Sequence, residues 1–228
     1  MTKSSDPQSV SREPLGAAVT TQLRSMIIHG RLKPGQKINE SDLAGSLQVS
    51  RTPLREALKT LQEEGLILME LHRRTYVTEI TVEQTAEVFE ALAALERLCC
   101  EISARRMTEA QRSELRALHE RMYAFHRERD RARYFELNDQ IHRAIVEGSA
   151  NRRLIDFHAK LISSATRARF AAIHSAGRWD ASVAEHQAIL AAIEARSADR
   201  AGRLLESHVH ETGQLICAVL RQNQRRAP

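Results

Sequence analysis

The sequence predicts a mainly α protein in two parts: an N-terminal winged helix-turn-helix with a small β-hairpin wing, and a C-terminal all-α helical bundle. Three observations carry this. Aromatic residues make up only 4 % of the 228 residues, while Ala, Leu, Arg and Glu abound, a composition that favours helix. From Thr81 onward the apolar residues recur only at helical spacing. Between Asn39 and Thr78, two short amphipathic segments precede two β-prone runs with a basic tip between them. The length suffices for two domains with separate cores.

Residues 1–13 lack an apolar core and read as a disordered tail rather than a signal peptide. A first helix is expected from Leu15 to His29, with Val19, Leu23, Met26 and Ile27 toward a core, and Lys33-Pro34-Gly35 as a turn. A short helix from about Asn39 to Leu47 leads through Gln48 and Val49 into a second one. Ser50 is placed as its N-cap, with a hydroxyl available to the unpaired N–H groups of the first turn. Pro53 lies in that turn, where a missing N–H costs least. Leu54, Ala57, Leu58 and Leu61 form one apolar face. Arg51, Arg55 and Lys59 recur every four residues on another, with Thr52 beside them. The runs Leu66–Met69 and Tyr76–Thr78 read as two strands, and the tip His72-Arg73-Arg74-Thr75 is basic.

These residue types suit duplex DNA. Arginine presents a planar fork of donors that matches guanine in the major groove, and serine or threonine hydroxyls reach phosphates or base edges. A basic hairpin tip beside such a helix is placed to touch backbone or minor groove. Ser50, Arg51, Thr52, Arg55, Lys59, Arg73 and Arg74 are therefore the candidate DNA contacts. A solvated basic face is the plainer reading of the second helix taken alone; helix, turn, helix and wing together argue against it. The net charge of +5 agrees with a polyanionic partner. It is spread evenly, with 11 basic and 9 acidic residues up to residue 80 and 23 and 20 after it, so the argument rests on placement.

Cys99, Cys100 and Cys217 form neither a CxxC pair nor a disulfide framework; buried reduced thiols are expected, which suits a cytoplasmic protein. No stretch of about 18 apolar residues exists, so no membrane span is expected.

Thr81-Val82-Glu83-Gln84 has the form of a capping box and marks the boundary between domains 14–80 and 81–222. The linker is short, so coupled domains are expected. Helices are predicted over 82–106, 109–129, 131–148, 151–172, 180–195 and 198–222, with Asn151 and Ser197 as caps, and 223–228 as a flexible tail. The arginine-dense stretch from Arg127 to Arg133 reads as a solvated helix end and connection.

Asn138 and His142 are four residues apart and share a helix face; His186 lies on a later helix and His208 on the last. Three neutral imidazoles and an oxygen from facing helices make a divalent-ion site, Zn²⁺ first and Ni²⁺ next. Since neutral imidazole ligates, binding is expected to fade as pH falls through about 6. The competing reading is that these are ordinary surface or core histidines, among 10 in the chain.

The segment GRLKPGQKINESDLAGSLQVSRTPLREALKTLQEEGLI resembles the N-terminal domain of GntR-family transcriptional regulators. Two positions depart from that pattern: Gln48 and Thr75 stand where the family usually has Gly, a residue that enters positive φ freely. YFELNDQIHRAIVEGSANRRL and SVAEHQAILAAIEARSADRAGRLLESHVH resemble the FCD ligand-binding domain of the FadR subfamily, over about 81–222. The resemblance puts the metal ligands at Asn138, His142, His186 and His208, with Asn138 in a slot that is commonly Asp. Leu92 stands where members often place an effector-binding Arg; Arg143, Arg167 and Arg169 are candidates to compensate, and also read as ordinary solvent-facing arginines.

The resemblance implies a sequence-specific, DNA-binding transcriptional regulator, a repressor, acting as a homodimer on a double-stranded operator. Its operator affinity would answer to a small carboxylate effector bound near the metal. No general base or nucleophile accompanies the ligand set, and Glu185 is placed elsewhere on its helix, so no enzyme is expected. The alternatives are metal-dependent catalysis in the bundle, or a purely structural metal.

Overall fold

The computed structural model describes residues 15–70, 74–171 and 179–226. The chain divides into two compact units, Met1–Glu79 and Ile80–Pro228. Each has its own hydrophobic core, and no residue belongs to both.

The first unit contains α1 (Leu15–Ile28), β1 (Lys37–Ile38), α2 (Glu40–Leu47), α3 (Arg51–Glu63), β2 (Ile67–Glu70) and β3 (Arg74–Val77). α1 buries Val19, Leu23 and Ile27, one face at helical spacing, against Leu54, Ala57, Leu58 and Leu61 of α3. Met26 is only partly buried. Arg24 closes the other side of this packing through Glu64, at 2.5 and 2.8 Å.

Asn39 caps α2, its side-chain oxygen accepting from Ser41 N–H at 3.0 Å. Gln48 ends the helix in the left-handed region, φ 55°. That conformation explains the preference for Gly at this position; with a side chain it costs roughly 1–2 kcal/mol. Thr75, the other departure, needs no left-handed turn. It is a strand residue in register with Ile38 and Met69, and its side chain is fully buried.

Ser50 takes the N-cap position of α3 with extended backbone, but its hydroxyl makes no capping bond. The expected cap is corrected here, and Pro53 removes one of the two donors it could have used. A cap hydroxyl accepts from the second or third N–H of the helix, and Pro53 at the third position has none. Ser50 stays exposed instead.

The wing is a three-stranded antiparallel sheet ordered β1-β3-β2. β2 and β3 form the expected hairpin, with Leu68 opposite Tyr76 and Glu70 opposite Arg74. β1 was not anticipated; its two residues pair Lys37 with Tyr76 and Ile38 with Thr75. The tip residues His72 and Arg73 lie outside the described residues.

The second unit is helical throughout its described residues: α4 (Val82–Arg106), α5 (Glu109–Arg127), α6 (Arg131–Gly148), α7 (Arg152–Ala171), α8 (Trp179–Glu194) and α9 (Ala198–Arg226). α4 is central, packing along α9 and touching α6, α7 and α8. Thr81 caps α4, accepting from Gln84 N–H at 3.1 Å. Asn151 caps α7 through Arg153 N–H at 3.1 Å. A reciprocal capping box forms at Thr108 and Gln111.

Two expectations are corrected. α9 continues to Arg226, four residues past the predicted end, because Arg221-Gln222-Asn223-Gln224-Arg225-Arg226 holds no Gly or Pro to stop it. The arginine-dense connection is more than a solvated end. The Arg129 and Arg131 guanidinium groups lie over the Trp179 ring at 5.6 and 5.5 Å, and Arg133 covers Phe125 at 5.4 Å. Cys99, Cys100 and Cys217 are buried free thiols. Among the described residues no helix is long and apolar enough to cross a membrane.

Candidate nucleic-acid interface and metal centre

α3 splits its surface cleanly. Its apolar face is sealed in the first core, while Arg51, Thr52 and Lys59 are exposed on the opposite side, with Ser50 just before them. Arg55 is half-buried. Its Nε donates to the Glu40 carboxylate at 2.8 Å, tying α3 to the start of α2. This occupies the Nε donor, while the side chain as a whole stays 42 % exposed. Arg74 opens β3 and is exposed; Arg73 lies outside the described residues.

In the second unit the four sequence-predicted ligands come together. Asn138 and His142 stand one turn apart on α6; α8 contributes His186, and α9 contributes His208. All four are buried, with exposures of 4, 2, 0 and 3 %. One ligand nitrogen from each of His142, His186 and His208 lies within 4.8 Å of the others. The His186 Nε2 is 3.0 Å from the Asn138 Oδ1. The Nε2 of His142 is buried with no hydrogen-bond partner. An orphaned imidazole nitrogen is costly in a core unless something else occupies its lone pair. Three imidazoles, one of them carrying that orphaned atom, and one amide oxygen fit a divalent cation.

The surroundings of this set were not foreseen. Glu96, on α4, is 1 % exposed and lies between two imidazoles. Its carboxylate accepts from Nδ1 of His142 at 2.5 Å and from Nε2 of His158 on α7 at 3.0 Å. Burial alone pushes the Glu96 carboxyl up, but the His142 and His158 imidazoles outweigh it and hold the group well below the usual carboxylate range. Glu185, expected to point away, accepts from Nδ1 of His208 at 2.6 Å. Carboxylates on the outer nitrogens of ligating histidines fix the tautomer and orient the ring. Burial first, then the neighbouring imidazoles, push the His186 proton affinity well down, leaving the neutral, ligating form.

The signal for Glu96 was present in the sequence. It sits on the buried stripe of α4 with Phe89, Leu92, Ala93 and Cys100, and an acid in a core stripe is almost always paired. For Glu185 no such signal exists, because its partner is on another helix.

The arginine candidates disperse. Arg143 is exposed on the outer face of α6. Arg169 pairs with Asp139, whose other oxygen takes the Thr166 hydroxyl at 3.3 Å. Arg167 is buried on α7, and burial pushes its pKa down to about 10. Leu92 is a core residue at 1 % exposure. His210, two residues beyond His208, is exposed and bonded to Gln214 at 2.8 Å.

Comparison with known proteins matches residues 15–77 to the bacterial regulatory proteins of the gntR family and residues 87–211 to the FCD domain. The chain belongs to the GntR family, with an FCD domain. The regulator is 26 % identical over 212 residues to the HTH-type transcriptional repressor RspR of Escherichia coli, covering 92 % of each chain. It is 34 % identical over 137 residues to YdhC, an uncharacterized HTH-type transcriptional regulator of Bacillus subtilis, spanning 58 % of this chain and 60 % of that one. Its fold resembles that of E. coli McbR/YncC, with a TM-score of 0.78 at 22 % identity, over 93 % of this chain and 100 % of that one. The regulator is thus a DNA-binding transcriptional regulator, not an enzyme.

Proposed function

We propose that the regulator is a repressor that acts as a homodimer, and that its operator affinity answers to a small carboxylate bound beside a metal in the helical bundle. The observation that carries this is the buried cluster of His142, His186 and His208, ligand nitrogens within 4.8 Å of one another, in a chain that also carries a DNA-reading head. Asn138 adds an oxygen. A bound Zn²⁺ or Ni²⁺ would supply positive charge, and the neutral Asn138 leaves more of that charge for an anionic ligand than an aspartate would. Repression is supported by the likeness to the transcriptional repressor RspR. In this reading residues 14–80 read DNA, and 81–222 hold metal, effector and dimer contacts. One head contacts a short half-site, so two-fold symmetry doubles both contacts and specificity. The effector shifts operator affinity only by its differential affinity for the two states.

The test is operator titration by fluorescence anisotropy with metal-loaded, chelator-stripped and His186→Ala protein, each with and without small carboxylates. The reading expects metal in the wild type and little in His186→Ala, and carboxylate release of the operator only from loaded protein. Equal metal content in both proteins would overturn the site. The near-complete burial of the ligands favours a second reading, a structural metal. It expects stripping to lower bundle stability while leaving operator affinity and carboxylate response unchanged.

A further inference from the structure

Each imidazole has two nitrogens, and only one of them can face a metal. For His142 and His208 the outer nitrogen is taken by a carboxylate, Glu96 and Glu185 respectively. His186 differs. Its Nε2 lies 3.0 Å from the Asn138 oxygen, and its Nδ1 is buried without a hydrogen-bond partner. A second buried, unpartnered nitrogen is close by: Nε2 of His119 on α5, in a fully buried ring whose centroid is 5.5 Å from that of His186.

The proton positions follow from the acceptors. The Leu115 carbonyl can only accept, so Nδ1 of His119, 2.8 Å away, carries the proton. The ring is fully buried, which favours its neutral form. Nε2 of His119 is therefore a bare lone pair. The Asn138 oxygen also only accepts, so without metal His186 carries its proton on Nε2, and its Nδ1 is a second bare lone pair. Two such atoms in a core are each costly if nothing satisfies them.

We propose that His119 is the positioning residue for His186, accepting a hydrogen bond from its Nδ1–H when Nε2 serves as the ligand atom. This rests on the metal reading above. The ring exchanges one tautomer for the other: the Nε2 proton is lost, Nδ1 gains one, and the imidazole stays neutral. The change relieves both orphaned atoms at once, directly or through one bridging water. Every outer nitrogen then has its own partner on a different helix, Glu96 on α4, His119 on α5 and Glu185 on α8, so α5 answers to the metal without supplying a ligand. Ligation through Nδ1 instead would keep the Nε2 proton on Asn138, remove that oxygen from the ligand set, and leave His119 unpartnered.

The experiment uses the full chain. Zn²⁺ affinity is measured by competition with a chromophoric chelator for wild type, His119→Phe and His119→Gln. The protonated nitrogen of His186 is read by long-range ¹H–¹⁵N NMR of stripped and loaded wild type. His119→Phe should weaken Zn²⁺ at least about tenfold, while His119→Gln, whose amide oxygen accepts, should stay within about threefold. The His186 proton should move from Nε2 to Nδ1 on loading. Unchanged affinity in a folded His119→Phe, or a proton that stays on Nε2, overturns the proposal and leaves the metal reading standing. A wild type that takes up no Zn²⁺ overturns both. Should His119→Phe fail to fold, the tautomer of wild-type His186 decides alone.

Discussion

Arg51 and Arg55 differ in freedom, and this sets what each substitution should do. Arg51 is exposed at the first position of α3, whereas Arg55 is held by Glu40 at 2.8 Å. Arg51→Ala should cost roughly 1–3 kcal/mol of operator affinity and relax the preference at one base pair. Arg74→Ala should weaken all sequences alike and lower the salt slope by about 1. Anisotropy titrations over a salt series, with specific and scrambled duplexes, separate the two effects. Gln48→Gly should raise stability by about 0.5–1 kcal/mol in denaturant unfolding, since relief of a left-handed side chain outweighs the added chain entropy. The convergence of Asn138, His142, His186 and His208 was legible in the sequence because Asn138 and His142 share a face and the resemblance pointed to His186 and His208. Glu185 and His119 were not, because each is defined by a partner on another helix, and no spacing rule reaches across helices.

At the scale of elements, the junction of α4 and α9 rests on glycines. A Cβ at Gly213 would lie 2.5 Å from the Cβ of Phe89, whereas one at Gly202 would meet the Cγ of Glu101, part of a flexible side chain, at 2.5 Å. Gly→Ala in a helix gains up to about 1 kcal/mol from propensity. Overpacking against the stiff Phe89 stem costs about 1–3 kcal/mol. Gly213→Ala should therefore destabilise the bundle more than Gly202→Ala, where the Glu101 side chain can give way, as thermal melts would show. The same packing governs the thiols. Burial pushes Cys99 up to about 11 and Cys100 higher still. A raised thiol pKa contributes stability that is complete below the ordinary value of 9.0 and is lost as pH rises through about 11. Native protein at neutral pH should thus react sluggishly with Ellman's reagent and reveal three thiols once denatured. The six bundle helices were legible because long periodic segments announce themselves. β1 was not, since two residues carry no period and owe their strand geometry to pairing with Tyr76 and Thr75.

At the scale of the molecule, two cores without a shared residue predict two unfolding transitions. On the metal reading, chelation should lower the bundle transition and leave the head transition in place, which calorimetry would show. Sedimentation of the free protein should give a dimer, and footprinting a near-palindromic site; a monomer protecting one half-site would contradict the homodimer reading. The chain also has a single tryptophan, and Trp179 sits under Arg129 and Arg131 and edge-on to His126 and Tyr134. Tyr134 stands one helical turn before Asn138. The head holds no indole, so it is dark in tryptophan emission, and the bundle carries its own label. Operator alone should leave that emission unchanged unless the bundle itself rearranges. A shift in its colour on adding operator to unlabelled protein would be a direct optical record of communication between the two units.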